Sequence, residues 1–150
     1  MNPSRWVEKE IGGRLIRLHN TVYQKTNGRI GHKIPGLAPT LLLHTVGAKS
    51  GLPRTRALTY ARDGDAYLIV ASNSGSFRYP SWYHNLRKDP DVEINVGAQR
   101  FKVTARFVTP QEPDYQRMWR IVNKKNFNQY ERYQHRTSRP IPIIALRAGT

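Results

Sequence analysis

Two short alternating runs joined by Asp63-Gly64-Asp65 constrain the fold more than any other feature of the sequence. Ala57-Leu58-Thr59-Tyr60-Ala61-Arg62 precedes the turn, and Ala66-Tyr67-Leu68-Ile69-Val70-Ala71-Ser72 follows it. Asp-Gly between such runs is a strong hairpin signal, because glycine takes a positive φ at little steric cost. The pattern recurs downstream. Val92-Glu93-Ile94-Asn95-Val96 alternates and stops at Gly97, and residues 101–108 alternate again, which predicts a second hairpin across 97–100. Residues 40–46 and 141–146 are apolar runs that read as a first and a last strand. The tally is about six mostly antiparallel strands with flanking helices, an α+β chain. A sheet of that size in one small domain curls toward a barrel.

The 150 residues suit a single domain, 1–150, without repeats or a dividing linker. Val7, Ile11, Leu15, Leu18 and Val22 form one helical stripe within about 5–23, opposite Lys9, Arg14 and Arg17. Such a helix packs on its own domain or, less commonly, lies on an anionic membrane. Residues 26–39 read as a loop long enough to serve as an entrance. Residues 81–88 read as a short helix with Ser81 as N-cap and Asp89-Pro90 as its stop. Thr109-Pro110-Gln111-Glu112 has the form of a capping box, opening a helix that turns Tyr115, Met118, Trp119 and Val122 inward. Tyr130 and Tyr133, three apart, share a face of a helical turn.

The 25 Lys and Arg against 10 Asp and Glu leave a net charge of +15. A charge of that size implies an anionic partner: nucleic acid, anionic lipid or a polyanionic small molecule. It is spread along the chain, which disfavours a basic arm that wraps DNA. No cysteine is present, so disulfides and thiolate chemistry are excluded. The N-terminus lacks a signal-peptide core and no apolar run reaches the length of a membrane span. The expected location is cytoplasmic, with peripheral contact to an anionic membrane as a variant.

Between the first strand and the first hairpin lies Gly47-Ala48-Lys49-Ser50-Gly51-Leu52-Pro53-Arg54-Thr55-Arg56. Two glycines and a proline keep these residues out of regular structure, and three cations sit in or beside the turn. Successive N–H groups in such a turn form an anion-binding concavity. Taken alone, these ten residues read first as a solvated hairpin loop with ordinary surface cations. The stretch lacks the earlier glycine that a nucleotide phosphate loop requires. The five histidines have no metal-ligand spacing, no carboxylate cluster joins them, and no Gly-x-Ser-x-Gly elbow is present. A basic, aromatic-rich chain of this kind either binds an anion or borrows a cofactor's chemistry.

The basic turn, Arg62-Asp63-Gly64-Asp65, Ala71-Ser72 with Gly75, and above all Pro80-Ser81-Trp82-Tyr83-His84-Asn85-Leu86 together resemble the deazaflavin (F420)-dependent nitroreductase and quinone reductase family over roughly residues 40–108. Tyr130, Tyr133 and Ile141-Pro142-Ile143 are similar too. The resemblance implies a split β-barrel, reduced coenzyme F420 (an 8-hydroxy-5-deazaflavin) as hydride donor, and quinone or nitroaromatic acceptors. It implies that Lys49, Ser50, Arg54 and Arg56, with Ala48 and Thr55 in the same stretch, hold the anionic tail. Ala57, Leu58 and Thr59 would border the cofactor, and Val70, Ala71, Ser72 and Asn73 would contact its rings. Ser81, Trp82, Tyr83, His84 and Asn85 would close over it, with Tyr130 flanking the ring and Tyr133 lining the acceptor pocket. The hydroxyls of Ser72, Tyr130 and Tyr133 are the catalytic candidates, and no metal is implied. One departure stands out: Thr59 occupies the strand position where the nitroreductase has a tyrosine. Tyr60 cannot substitute, because neighbouring strand residues face opposite sides. A nucleic-acid-binding module without catalysis is the alternative, but no RNA-binding motif with paired sheet aromatics accompanies the charge.

Overall fold

The computed structural model describes residues 38–149. The amphipathic helix expected over 5–23 and most of the expected entrance loop lie outside them. Seven strands form one sheet: β1 (Thr40–Val46), β2 (Pro53–Thr59), β3 (Ala61–Asp63), β4 (Ala66–Val70), β5 (Asp91–Val96), β6 (Gln99–Val108) and β7 (Ile143–Ala148). Every pairing is antiparallel, in the order β2-β1-β5-β6-β7-β4-β3. The helices are α1 (Ser81–Lys88), α2 (Tyr115–Lys125) and α3 (Gln129–Gln134), with a 3-10 turn at Asn73–Gly75. No helix among the described residues is long and apolar enough to cross a membrane.

The seventh strand comes from a division that the alternation concealed. β2 and β3 are separated only by Tyr60, yet they stand at opposite edges of the sheet. The chain pairs with β1 up to Thr59 and with β4 from Ala61 onward. That change of partner across one residue curls the sheet into the split barrel. β2 also begins earlier than its sequence suggests. Pro53 opens it, tolerated because β2 is an edge strand, and so Arg54, Thr55 and Arg56 stand on a strand rather than in a loop. Both hairpins turn on two residues led by a left-handed glycine, Gly64 and Gly97, each with φ +60°.

Two cores divide the sheet's faces. Leu41, Leu43, Ile69, Ile94, Val103, Ile144 and Leu146 fill one side together with Trp82 and Leu86 of α1. Leu68, Val70, Val108, Ile143 and Ala145 pack on the other side against Tyr115, Met118 and Val122 of α2 and Tyr130 of α3. Two expected helix starts are corrected. Ser81 is the first helical residue of α1, after a Pro80 N-cap, and makes no capping bond. Residues 109–112 close a turn rather than start α2, which begins at Tyr115; Glu112 instead accepts from Arg106 at 2.8 Å. That ion pair draws the would-be capping carboxylate away from the backbone.

Candidate active site

The basic turn is held from outside by one amide side chain. Asn85 of α1, 7 % exposed, accepts from the Ala48 N–H at 2.8 Å and donates to the Thr45 hydroxyl at 3.0 Å. Lys88 Nζ donates to the Ala48 carbonyl at 2.9 Å. Within the turn, Gly47 and Gly51 close backbone bonds and the Ser50 hydroxyl accepts from the Leu52 N–H. The N–H groups of Lys49 and Ser50 have no acceptor among the described residues. Lys49, Arg54 and Arg56 are exposed, and none pairs with a carboxylate among the described residues. The Arg54 guanidinium donates to the Ser50 hydroxyl at 3.5 Å.

About 17 Å farther along β2, at its other end, Thr59 meets Tyr130 of α3, hydroxyl to hydroxyl, at 3.4 Å. Tyr130 is buried, and burial raises its phenol above the ordinary tyrosine value, so it stays a proton donor at neutral pH. Tyr133 packs edge-on against it with ring centroids 6.4 Å apart. The segment after β4 passes beneath α3. Ser72 is 8 % exposed, and Asn73, Ser74 and Gly75 follow with φ of 44°, 56° and 79°. Left-handed backbone costs a non-glycine residue about 1 kcal/mol or more, so this conformation needs outside support. Gly75 leaves no room for a side chain, since a Cβ there would sit 2.7 Å from the Tyr133 carbonyl oxygen.

The support comes from Arg139, a residue with no motif around it. Its guanidinium donates to the carbonyls of Ser76 (2.8 Å), Ser72 (2.9 Å), Ala71 (3.1 Å) and Arg78 (3.4 Å), and lies 4.5 Å over the Tyr79 ring. Tyr79 stacks on Tyr83 of α1 at 4.3 Å, and Tyr83 meets Phe107 edge-on. The carbonyls and the ring that the Arg139 guanidinium itself touches all lie more than 50 positions away in sequence, so no local pattern could reveal it.

The sequence-derived candidates thus fall into two groups joined by β2. Ala48, Lys49, Ser50, Arg54 and Asn85 gather at one end; Thr59, Val70, Tyr130 and Tyr133 gather at the other, with Ala71, Ser72 and Asn73 leading away from β4. Alternation divides β2 itself. Arg54, Arg56 and Leu58 stand over Thr45, Leu43 and Leu41, whereas Thr55, Ala57 and Thr59 look to the opposite side. Tyr60 lies in the first core and Thr59 faces the second, as the alternation required. Trp82, 6 % exposed, is a core residue, while Ser81 and His84 are exposed on α1. A cavity of about 770 Å³ lies over β1, β5 and β6 and reaches the start of β2 beside the basic turn, sharing Arg54 and Thr55 with the candidates. Beside it His44 bonds Thr55 and Asn95, and burial holds its imidazole below the ordinary value. No cluster able to hold a metal is found among the described residues.

The site's donor set fits a long, anionic, aromatic ligand. Among the described residues, open amides and unpaired cations stand at one end, and buried hydroxyls with tyrosine rings at the other. Antiparallel strands curled into a split barrel, with a site of this form, suit a protein that borrows a cofactor's chemistry. Residues 15–148 match the model of the F420H(2)-dependent quinone reductase family, and the chain belongs to that family. The F420H(2)-dependent quinone reductase Rv1261c of Mycobacterium tuberculosis H37Rv is 63 % identical over 146 residues, covering 97 % of this chain and 98 % of the relative. Rv3178 of the same organism, a putative F420H(2)-dependent quinone reductase, is 35 % identical across 79 % of this chain and 98 % of its own. Among solved structures, an F420-H2 dependent reductase (FDR-A) superposes with a TM-score of 0.64 and 31 % identity, covering 72 % of this chain and 93 % of that one.

Proposed function

We propose that this chain binds reduced F420 along β2, tail at the basic turn and ring at the Thr59–Tyr130 end, and uses it to reduce a quinone. The observation that carries this reading is the uncommitted charge of the turn. Lys49, Arg54 and Arg56 lack carboxylate partners among the described residues, while Asn85 fixes the backbone that presents the Lys49 and Ser50 amides. A turn so held costs little reorganisation when a phosphate or glutamate carboxylate arrives.

When bound, reduced F420 supplies the hydride. The protein's task is to orient it, place the acceptor beside it and exclude water. Ala71, Ser72 and Asn73 contact the ring from the segment after β4. A hydroxyl at this end, from Ser72, Tyr130 or Tyr133, polarises the acceptor oxygen or hands it a proton. Thr59 stands where the nitroreductase has a tyrosine, which favours quinones over nitroaromatics as acceptors.

Titration with oxidised and reduced coenzyme, followed by turnover with a water-soluble quinone, tests the reading. Binding of the coenzyme and its oxidation by quinone are expected. Failure to bind either form at micromolar protein overturns it. Tight, steeply salt-dependent binding to nucleic acid in its place would make the charge a nucleic-acid footprint.

A further inference from the structure

Arg139 is bound to one short segment through four separate carbonyls. Its acceptors, Ala71, Ser72, Ser76 and Arg78, bracket the left-handed run at Asn73–Gly75 from both sides. It has no carboxylate partner among the described residues. Its own backbone is fixed from α3: Gln134 Nε2 donates to the Arg139 carbonyl at 2.9 Å, and Gln134 Oε1 accepts from the Ile141 N–H at 2.9 Å. Its guanidinium face lies on Tyr79, which stacks on Tyr83 of α1. The residue therefore links three elements: α3, with Tyr130 and Tyr133, through its backbone carbonyl and Gln134; the segment with Ala71 and Ser72 through its guanidinium; and α1 through the Tyr79 ring.

We propose that Arg139 is a positioning residue for hydride transfer, fixing the ring-contacting segment 71–73 relative to the tyrosines of α3. The proposal rests on the functional reading above. A planar guanidinium suits the task because its donors diverge in a fixed fork and reach several carbonyls at once. Lysine has a single nitrogen and cannot span them. The residue touches neither the reacting atoms nor the tail, so its loss displaces the ring contacts and leaves the basic turn intact. Reacting atoms misplaced by about 1 Å cost up to two decades in rate.

The test compares wild type, Arg139→Ala, Arg139→Lys and, as an arginine removed from an exposed ion pair with Asp65, Arg147→Ala. Single-turnover hydride transfer to a water-soluble quinone is read at saturating reduced F420. Affinity is read for F420 and for a deazaflavin lacking the tail. Amide hydrogen exchange is read on the coenzyme-free proteins. For Arg139→Ala the saturated rate is expected to fall by roughly one to two decades. The affinity ratio between tailed and tail-less ligands should stay within about twofold of wild type, and exchange should rise at residues 72–78 but not in β1, β5 and β6. Guanidinium ion at millimolar concentration should recover part of the rate in Arg139→Ala and none in Arg147→Ala. Arg139→Lys, which keeps the charge, should retain the defect; it carries the test if the alanine variant does not fold. Wild-type rate and exchange in both Arg139 variants overturn the positioning role alone. Exchange that rises through the whole sheet, without rescue, overturns it in favour of a general stability role. Wild-type protein that binds no coenzyme overturns the functional reading and the role with it, whatever the exchange shows.

Discussion

The two ends of β2 treat positive charge in opposite ways. At the basic turn, the cations Lys49, Arg54 and Arg56 are exposed and unpaired among the described residues, and a neutral amide, Asn85, does the holding. At the hydroxyl end the guanidiniums of Arg139 and Arg136 are instead engaged by backbone carbonyls and aromatic rings. A net charge of +15 therefore says little about which cations serve a ligand. The distinction lies in whether a guanidinium already has acceptors of its own.

The strongest way to break this contrast is at Asn85. Asn85→Leu removes the acceptor of the Ala48 N–H and the donor to Thr45 in a buried setting. Stability measured by urea unfolding is expected to drop by about 2–3 kcal/mol, with coenzyme affinity falling as the turn loosens. Unchanged affinity in the folded variant would show that the turn is ordered by its own glycine bonds. Arg54→Ala comes next. It should weaken coenzyme affinity by about 1.5–3 kcal/mol, one to two decades, with the saturated rate nearly constant. Arg54→Lys should recover only part, and added salt should weaken wild type more than the alanine variant. A collapsed rate with intact affinity would place chemistry, not the tail, at this end.

The core behind the hydroxyl end is sharpened by pH. Tyr115 donates to the Ile141 carbonyl at 2.6 Å, and burial pushes its phenol up to about 12. Because the folded value lies above the unfolded value of about 10, its contribution is full below pH 10 and is lost as pH rises toward about 12. Alkaline unfolding of Tyr115→Phe should lack that part of the slope, while at pH 7 the variant loses about 1 kcal/mol. The smallest effect is expected at Thr59. Thr59→Val removes only a long contact to Tyr130 and should change stability by less than about 0.5 kcal/mol, checked by thermal unfolding. A larger loss would show that Tyr130 depends on Thr59 for its place.

Local grammar carried much of the fold into the sequence. The bounds of β1 and α1 follow from an apolar run and a proline-flanked amphipathic segment, and both hairpins follow from Asp63-Gly64 and Gly97. The resemblance of the two motifs led to the family, and the structure supplies the reason they occur together. Asn85 of the second motif is the residue that holds the first, 37 positions away. What stayed hidden depended on partners remote in sequence. The alternation through Thr59, Tyr60 and Ala61 is unbroken, so nothing local marks where the chain leaves β1 for β4. The capping-box residues are present, but Arg106 on β6 claims Glu112. Arg139 sits in Ser138-Arg139-Pro140 with no periodicity to give it a role.

The strand order also decides how this fold bears mechanical load. A force entering at Thr40 and leaving at Ala148 acts on β1 and β7, and neither is an edge strand. β1 is flanked by β2 and β5, and β7 by β6 and β4. At the pulled ends only the outermost residues, Thr40 and Leu41 on β2 and Arg147 and Ala148 on β6, are held on a single side. Beyond those outer pairs the load reaches two ladders at once, from Leu42 inward on β1 and from Leu146 inward on β7.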